Sequence, residues 1–168
     1  MPDHGLELSF DEQSDQAVRD RWAALQDAGL PSQADHRSMV NAPHLTLVVA
    51  SPVADEVVER ARELVLPLLP ATLTVRGLLM LGEGPRVTLA YVVEPDPALA
   101  EATASLRAQV PGVRHPVWTP HVTLCRRLPR RRLTEAVAVL EAAGAPATLV
   151  ADRLRWWDPD QDLIEQLT

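Results

Sequence analysis

Two short strings hold the residues best suited to chemistry, His44-Leu45-Thr46-Leu47 and His121-Val122-Thr123-Leu124, each preceded by a proline. Alternate side chains of an extended strand share a face. His44 and Thr46 therefore point one way and Leu45 and Leu47 the other, and His121 and Thr123 are opposed in the same way to Val122 and Leu124. Each string presents one imidazole and one hydroxyl, roughly 6–7 Å apart along the strand, on the face that is not hydrophobic. Two imidazoles facing each other across a cleft suit a metal-free phosphodiester reaction. One neutral histidine takes a proton from the attacking water or hydroxyl and one protonated histidine gives a proton to the departing oxygen; the ordinary imidazole pKa of about 6.5 lets both forms exist near neutral pH. The threonine hydroxyls can donate to non-bridging phosphate oxygens and hold the phosphorus between the two rings. Taken singly, a strand histidine is a hydrogen-bonded interior residue and a strand threonine is merely a good β-former. Their repetition as a pair marks a site.

The repetition extends beyond the motifs. Pro43-His-Leu-Thr-Leu47 recurs 77 residues later as Pro120-His-Val-Thr-Leu124, and Pro70-Ala-Thr-Leu73 recurs 76 residues later as Pro146-Ala-Thr-Leu149. A helix-patterned stretch separates the two matched strings in each copy. A duplicated unit is the simplest reading, since one unit of this size would bury too little apolar surface alone. Residues 1–168 are therefore expected to form one domain built from two repeated lobes, with repeat motifs at 43–73 and 120–149.

The elements that must position these residues are readable from periodicity. Leu6–Phe10 alternates like a strand, and Asp11–Gly29 spaces Val18, Trp22 and Leu25 like a helix before a Gly-Leu-Pro stop. After an irregular stretch from Pro31 to Pro43, His44–Ala50 reads as a strand and 53–66 as a helix behind Pro52. Ala71–Met80 and Arg86–Val93 flank a Gly-Glu-Gly-Pro turn as a hairpin, and Pro95–Ala108 is helical. His115–Pro120 leads into a strand at His121–Cys125, followed by a helix at Arg131–Ala143. Ala147–Trp157 and Asp162–Leu167 close the chain as a strand pair around Asp158-Pro-Asp-Gln. The expected architecture is α+β: two pseudo-symmetric lobes of mainly antiparallel sheet around a central cleft, with the helices outside.

Composition narrows the chemistry further. The chain has 168 residues, 46% apolar and 23% charged, with 16 basic residues against 23 acidic ones and a net charge of −7. All 16 basic residues are arginine. The lack of lysine excludes a phosphate-binding loop ending in Gly-Lys-Ser/Thr, a Schiff-base enzyme, and any ligase that stores a nucleotide on a lysine amine. A single cysteine, Cys125, excludes an internal disulfide and a zinc site of several thiolates. No two histidines are spaced as metal ligands, so neither a metal nor another cofactor is expected. The acidic balance argues against charge-driven binding to long nucleic acid and leaves room for a small phosphorylated ligand. No apolar stretch reaches the roughly 18 residues of a membrane span, and the first residues lack the basic-then-apolar order of a signal peptide. A cytoplasmic monomer that touches no membrane is expected.

With the two motifs and the matching repeat, the chain resembles the 2H phosphoesterases. This superfamily includes the bacterial 2′-5′ RNA ligase and cyclic phosphodiesterase group and is defined by two His-x-Thr/Ser-x motifs. The resemblance covers essentially the whole chain. It implies a bilobal fold and metal-independent chemistry on 2′,3′-cyclic phosphates or 2′-5′ linkages, with His44 and His121 catalytic and Thr46 and Thr123 binding substrate. The partner it implies is a nucleotide or short RNA bearing a cyclic phosphate. Without lysine, any joining of RNA ends must run a cyclic-phosphate opening in reverse, without ATP. An arginine after the second motif assists phosphate binding in this family, which points to Arg126. Parity in an unbroken strand instead puts Arg127 on the face of His121, unless a bulge intervenes. A binding module without turnover, and a phosphodiesterase for a small metabolite such as an ADP-ribose cyclic phosphate, are the competing functions.

Other candidates carry weaker signals. Arg126, Arg127, Arg130, Arg131 and Arg132 suit either a solvated loop or a phosphate patch. Trp118, Trp156 and Trp157 can stack on a base, although core packing is the commoner role. Cys125 reads as a small buried residue. Arg76 and Arg86 on the hairpin and Arg37 and Asn41 before the first motif are further possible contacts. His4, His36 and His115 lack a threonine partner.

Overall fold

The computed structural model describes residues 3–38, 41–159 and 163–168. Its elements run β1 (His4–Phe10), α1 (Glu12–Asp27), β2 (His44–Ala50), α2 (Asp55–Val65), β3 (Ala71–Leu81), β4 (Arg86–Pro95), α3 (Pro97–Arg107), β5 (His121–Pro129), α4 (Leu133–Ala143), β6 (Thr148–Asp158) and β7 (Leu163–Leu167). Asp160 and Gln161 of the final turn, and Asp162 where the closing strand was expected to begin, lie outside the described residues. Among the described residues no helix is long and apolar enough to cross a membrane.

Two of the helices, α1 and α3, start where a side chain satisfies a free backbone N–H group. The Asp11 carboxylate accepts from the Ser14 N–H at 2.8 Å ahead of α1, and the Asp96 carboxylate accepts from the Leu99 N–H at 2.9 Å ahead of α3. Each then buries one stripe: Val18, Trp22 and Leu25 on α1, and Leu99, Ala102 and Leu106 on α3. The last helix begins two residues later than the periodicity indicated, because Arg130–Arg132 form a 3₁₀ turn. Two of the three guanidinium groups are tied down there. Arg130 donates to the carbonyls of Gly84 and Gly82 in the β3–β4 hairpin, and Arg132 donates to the Gly29 carbonyl and to Glu135.

Among the described residues every strand pairing is antiparallel, and the strands form one seven-stranded sheet in the order β2-β1-β6-β3-β4-β5, with β7 also on β6. The sequence pointed to two pseudo-symmetric lobes of mainly antiparallel sheet around a central cleft, and the antiparallel α+β architecture is what is found. The two halves share one continuous sheet because the repeated strings pair with each other: Leu73 on β3 lies opposite Leu149 on β6, and these two are the same position of the repeat. A twofold relation about that pair exchanges β2 with β5, β1 with β4 and β6 with β3.

The two motif strands, β2 and β5, stand at opposite ends of the strand order and yet contact each other. The sheet therefore curls until its edges meet. On the outside, α2 and α3 pack together, with α3 on β2 and α2 on β6, while α1 and α4 pack together with α1 on β5. Leu45, Leu47, Val122 and Leu124 are completely buried beneath those helices. Burial of the leucine face holds the histidine face toward the concave side.

Candidate active site

Both motif histidines are fixed in the same way. His44 Nδ1 lies 2.8 Å from the Ala42 carbonyl and His121 Nδ1 lies 2.7 Å from the Thr119 carbonyl. A carbonyl can only accept, so in each ring Nδ1 carries the proton and Nε2 is the atom left for chemistry. Both motif threonines are anchored through the backbone. The indole N–H of Trp118 donates to the Thr46 carbonyl, and that of Trp22 to the Thr123 carbonyl, each at 3.0 Å. Trp118 thus serves the first motif from the approach to the second, and Trp22 serves the second from the helix before the first.

Each motif strand carries a bulge at the same place. Thr46 opposes Glu7 but Val48 opposes Leu6, so Leu47 is extra on β2; Thr123 opposes Ala90 but Cys125 opposes Leu89, so Leu124 is extra on β5. In both strands two consecutive residues, Leu47-Val48 and Leu124-Cys125, are buried, and the alternation flips after them. Val49 and Arg126 are thereby returned to the concave face. A second irregularity follows on β5, where Arg126 and Arg127 together span the single residue Thr88, and Arg127 has φ 56°. Arg126 lines the cleft and Arg127 does not. The unbroken-strand parity that pointed to Arg127 is corrected by the bulge.

The cleft has two connected chambers of about 330 and 370 Å³. His44 lines the first and His121 the second, and Thr46, Val49, Arg114 and Arg126 line both. Thr123 is half-buried and lies outside the lining of either. The walls differ across the twofold relation. On one side the row Thr46–Glu7–Arg155 runs across β2, β1 and β6; its counterpart, Thr123–Ala90–Leu79, runs across β5, β4 and β3. Glu7 Oε1 pairs with Arg155 Nε at 2.8 Å, and Glu7 Oε2 lies 3.2 Å from His44 Nε2. The Arg155 N–H is not aimed along that contact, which makes it charge pairing more than an aligned hydrogen bond. Both side chains are 11% exposed.

The remaining candidates divide. Arg130 and Arg132 hold backbone carbonyls, Arg76 pairs with Glu94, and neither Arg37 nor Arg86 lines the cleft. Asn41 lines it, tied to the carbonyls of Gln33 and His36. Trp157 and Trp118 line it as well, whereas Trp156 does not. Cys125 is buried, and burial pushes its thiol up to about 11. Sequence reasoning passed over Glu7, Arg155 and Arg114. Glu7 was legible as the charged member of the alternation Leu6-Glu7-Leu8, and Arg155 as its equivalent beside Leu154. It also set aside His4 and His36, which line the first chamber, and His115, which lines the second. Among the described residues no group of histidine, cysteine and carboxylate side chains could hold a metal ion.

A family model described as the 2′-5′ RNA ligase superfamily matches residues 13–163. A search of curated proteins finds no match. Among solved structures, Kluyveromyces marxianus Usb1 is similar with a TM-score of 0.60 at 16% identity, covering 98% of this chain and 97% of that one. The same protein with uridine monophosphate gives 0.59 at 15% identity over 98% and 97%. A structure described as a phosphoesterase gives 0.58 at 16% over 100% and 96%. At these identities the structural likeness concerns the fold.

Proposed function

The chain belongs to the 2′-5′ RNA ligase superfamily, and on that premise we propose that it is a metal-independent phosphodiesterase. Its substrate is a 2′,3′-cyclic phosphate or a 2′-5′ linkage of a nucleotide or short RNA, and ATP-independent 2′-5′ ligation is the same reaction reversed. The observation that carries this reading is the duplicated histidine geometry: two rings, each with Nδ1 on the carbonyl two residues back and Nε2 left for proton transfer, on strands that meet across one cleft.

In the hydrolytic direction, water attacks phosphorus in line with the departing ribose oxygen. One Nε2 accepts the proton of the water and the other supplies a proton to the ribose oxygen. Thr46 donates to a non-bridging oxygen, Thr123 is its repeat-equivalent hydroxyl on β5 outside the lining of both chambers, and Arg126 offers the phosphate a guanidinium, a pairing suited to bidentate contact. Chambers of about 330 and 370 Å³ suit a nucleotide-sized ligand. Uridine monophosphate in the similar Usb1 structure supports a nucleotide as the ligand class.

The experiment is incubation with a panel of 2′,3′-cyclic nucleotides and 2′-5′ dinucleotides in EDTA, with the product isomer identified by chromatography. Monophosphate of a single isomer is expected from at least one cyclic substrate. Binding without product across the panel would replace this reading with that of a binding module.

A further inference from the structure

We infer that Gln33 reads the nucleobase of the substrate: its side-chain carbonyl, oriented by Asn41, accepts from an exocyclic amino group in the first chamber and favours adenine or cytosine over their keto counterparts. The inference rests on the phosphodiesterase reading and specifies the substrate within it.

Gln33 is only 5% exposed, yet it lines the first chamber. The direction of its amide follows from a chain of contacts that starts at the backbone. Asn41 Nδ2 lies 2.9 Å from the Gln33 carbonyl and 3.2 Å from the His36 carbonyl. Carbonyls only accept, so this end of Asn41 is the amino group and its Oδ1 is turned to the Gln33 side chain. The Gln33 atom 3.3 Å from that oxygen must then be the donor, Nε2. Oε1 is left as a free acceptor: no donor among the described residues meets it, and it is not sealed away as a buried orphan would be.

The acceptor is also held still. Gln33 opens the short turn Gln33–Asp35, whose capping box between Ser32 and Asp35 is closed in both directions. Ser32 Oγ donates to the Trp22 carbonyl and the Asp35 carboxylate accepts from Gln26, which ties the turn to α1 at two points. An amide pinned at its backbone and at Nε2 cannot rotate to offer a donor in place of Oε1, and this gives the site its selectivity.

The rest of the chamber suits a base. Its carboxylates are engaged, Asp3 by Arg114 and Glu7 by Arg155 and His44. Trp157, 36% exposed, brings an indole to the same lining, a surface on which a base can stack. An amino group placed at Oε1 satisfies the amide. A keto oxygen in the same place sets two acceptors against each other and leaves both without a donor.

The test uses substrate pairs that exchange an amino for a keto group: the 2′,3′-cyclic phosphates of cytidine and uridine, and those of adenosine and inosine. Wild type should favour the amino member of each pair by about tenfold or more in kcat/KM, as expected where a keto group leaves the site's acceptor unpaired. Gln33→Met keeps the length of the side chain, removes the acceptor, and should bring both ratios close to one. Asn41→Leu removes the oxygen that orients the amide, so Gln33 can turn either end to the base and the ratios should fall as well. A loss shared equally by both members of a pair, with the wild-type ratios kept, would reduce Gln33 and Asn41 to a structural role. A wild-type ratio of one, or a preference for uridine and inosine, would overturn the inference outright. Calorimetric binding of the matching monophosphates separates this inference from the reading beneath it. Protein inactive on all four substrates would overturn the phosphodiesterase reading, and the amino-to-keto ratio of Kd would still decide the role of Gln33, its absence there counting against the inference.

Discussion

Val49 on β2 and Arg126 on β5 occupy the same place in the two halves of the cleft. Each follows a one-residue bulge after the motif threonine, and each lines both chambers. The same backbone distortion delivers an apolar group from one half and a guanidinium from the other. Of the two positions that the matching bulges aim into the cleft, the one on β5 carries the charge.

That placement separates two adjacent arginines. Arg126→Ala should lower kcat/KM by about 10- to 100-fold, the loss of a charge-assisted contact worth about 1.5–3 kcal/mol. Arg127→Ala, next in sequence but outside the cleft lining, should lower it far less. Steady-state kinetics on a cyclic nucleotide checks the order, and a larger effect at Arg127 would contradict the bulge as the device that aims the cation.

Trp118 ties the second half to the first motif through its indole N–H. Trp118→Phe keeps the ring and removes that donor, leaving the Thr46 carbonyl without it. A stability loss of about 1 kcal/mol is expected, which corresponds to a Tm lower by about 2–4 °C for a domain of this size. Turnover should fall with it as the threonine loses its backbone anchor. Thermal unfolding and kinetics on one preparation test both parts.

Arg130 is a clasp on the β3–β4 hairpin, donating to the carbonyls of Gly84 and Gly82. Arg130→Ala should cost about 1 kcal/mol in stability while kcat/KM stays within about twofold, as for surface changes remote from a site. A large rise in KM with unchanged Tm would restore the phosphate-patch reading of this arginine.

Cys125 lies at the second residue of the β5 bulge, fully buried, with its thiol raised from 9.0 to about 11 by desolvation. A thiol reagent at pH 8 should therefore leave the native protein unlabelled and label it on unfolding. The sign of the linkage follows from the raised value. The folded state holds the proton more tightly, so this group's contribution to stability is complete below about pH 9 and declines as pH rises toward 11. Cys125→Ala should flatten that alkaline decline in denaturant titrations.

Much of this was legible because alternation and repetition are local properties of a chain. His44, Thr46 and His121 stand on the expected strands and line the cleft, Thr123 stands on its expected strand, and the α+β architecture with antiparallel pairing follows from the order of elements. The bulges were also encoded, in the consecutive apolar pairs Leu47-Val48 and Leu124-Cys125, but strict alternation misreads such pairs and sent the parity to Arg127. Two features depend on distant strands and had no local signal. The joining of the halves requires Leu73 to meet Leu149, and the contact of Glu7 with His44 requires β1 to lie between β2 and β6. Each residue looked ordinary in its own segment; the pairing between strands gave it a position.

The most direct measurement is the conversion of uridine 2′,3′-cyclic phosphate to uridine monophosphate, in EDTA, by the wild-type protein, His44→Ala and His121→Ala. Wild type should turn the substrate over, and each variant should lose on the order of 10²–10⁴-fold while retaining the wild-type Tm. Wild-type rates in both folded variants, or activity abolished by the chelator, would contradict a reaction carried by these two imidazoles.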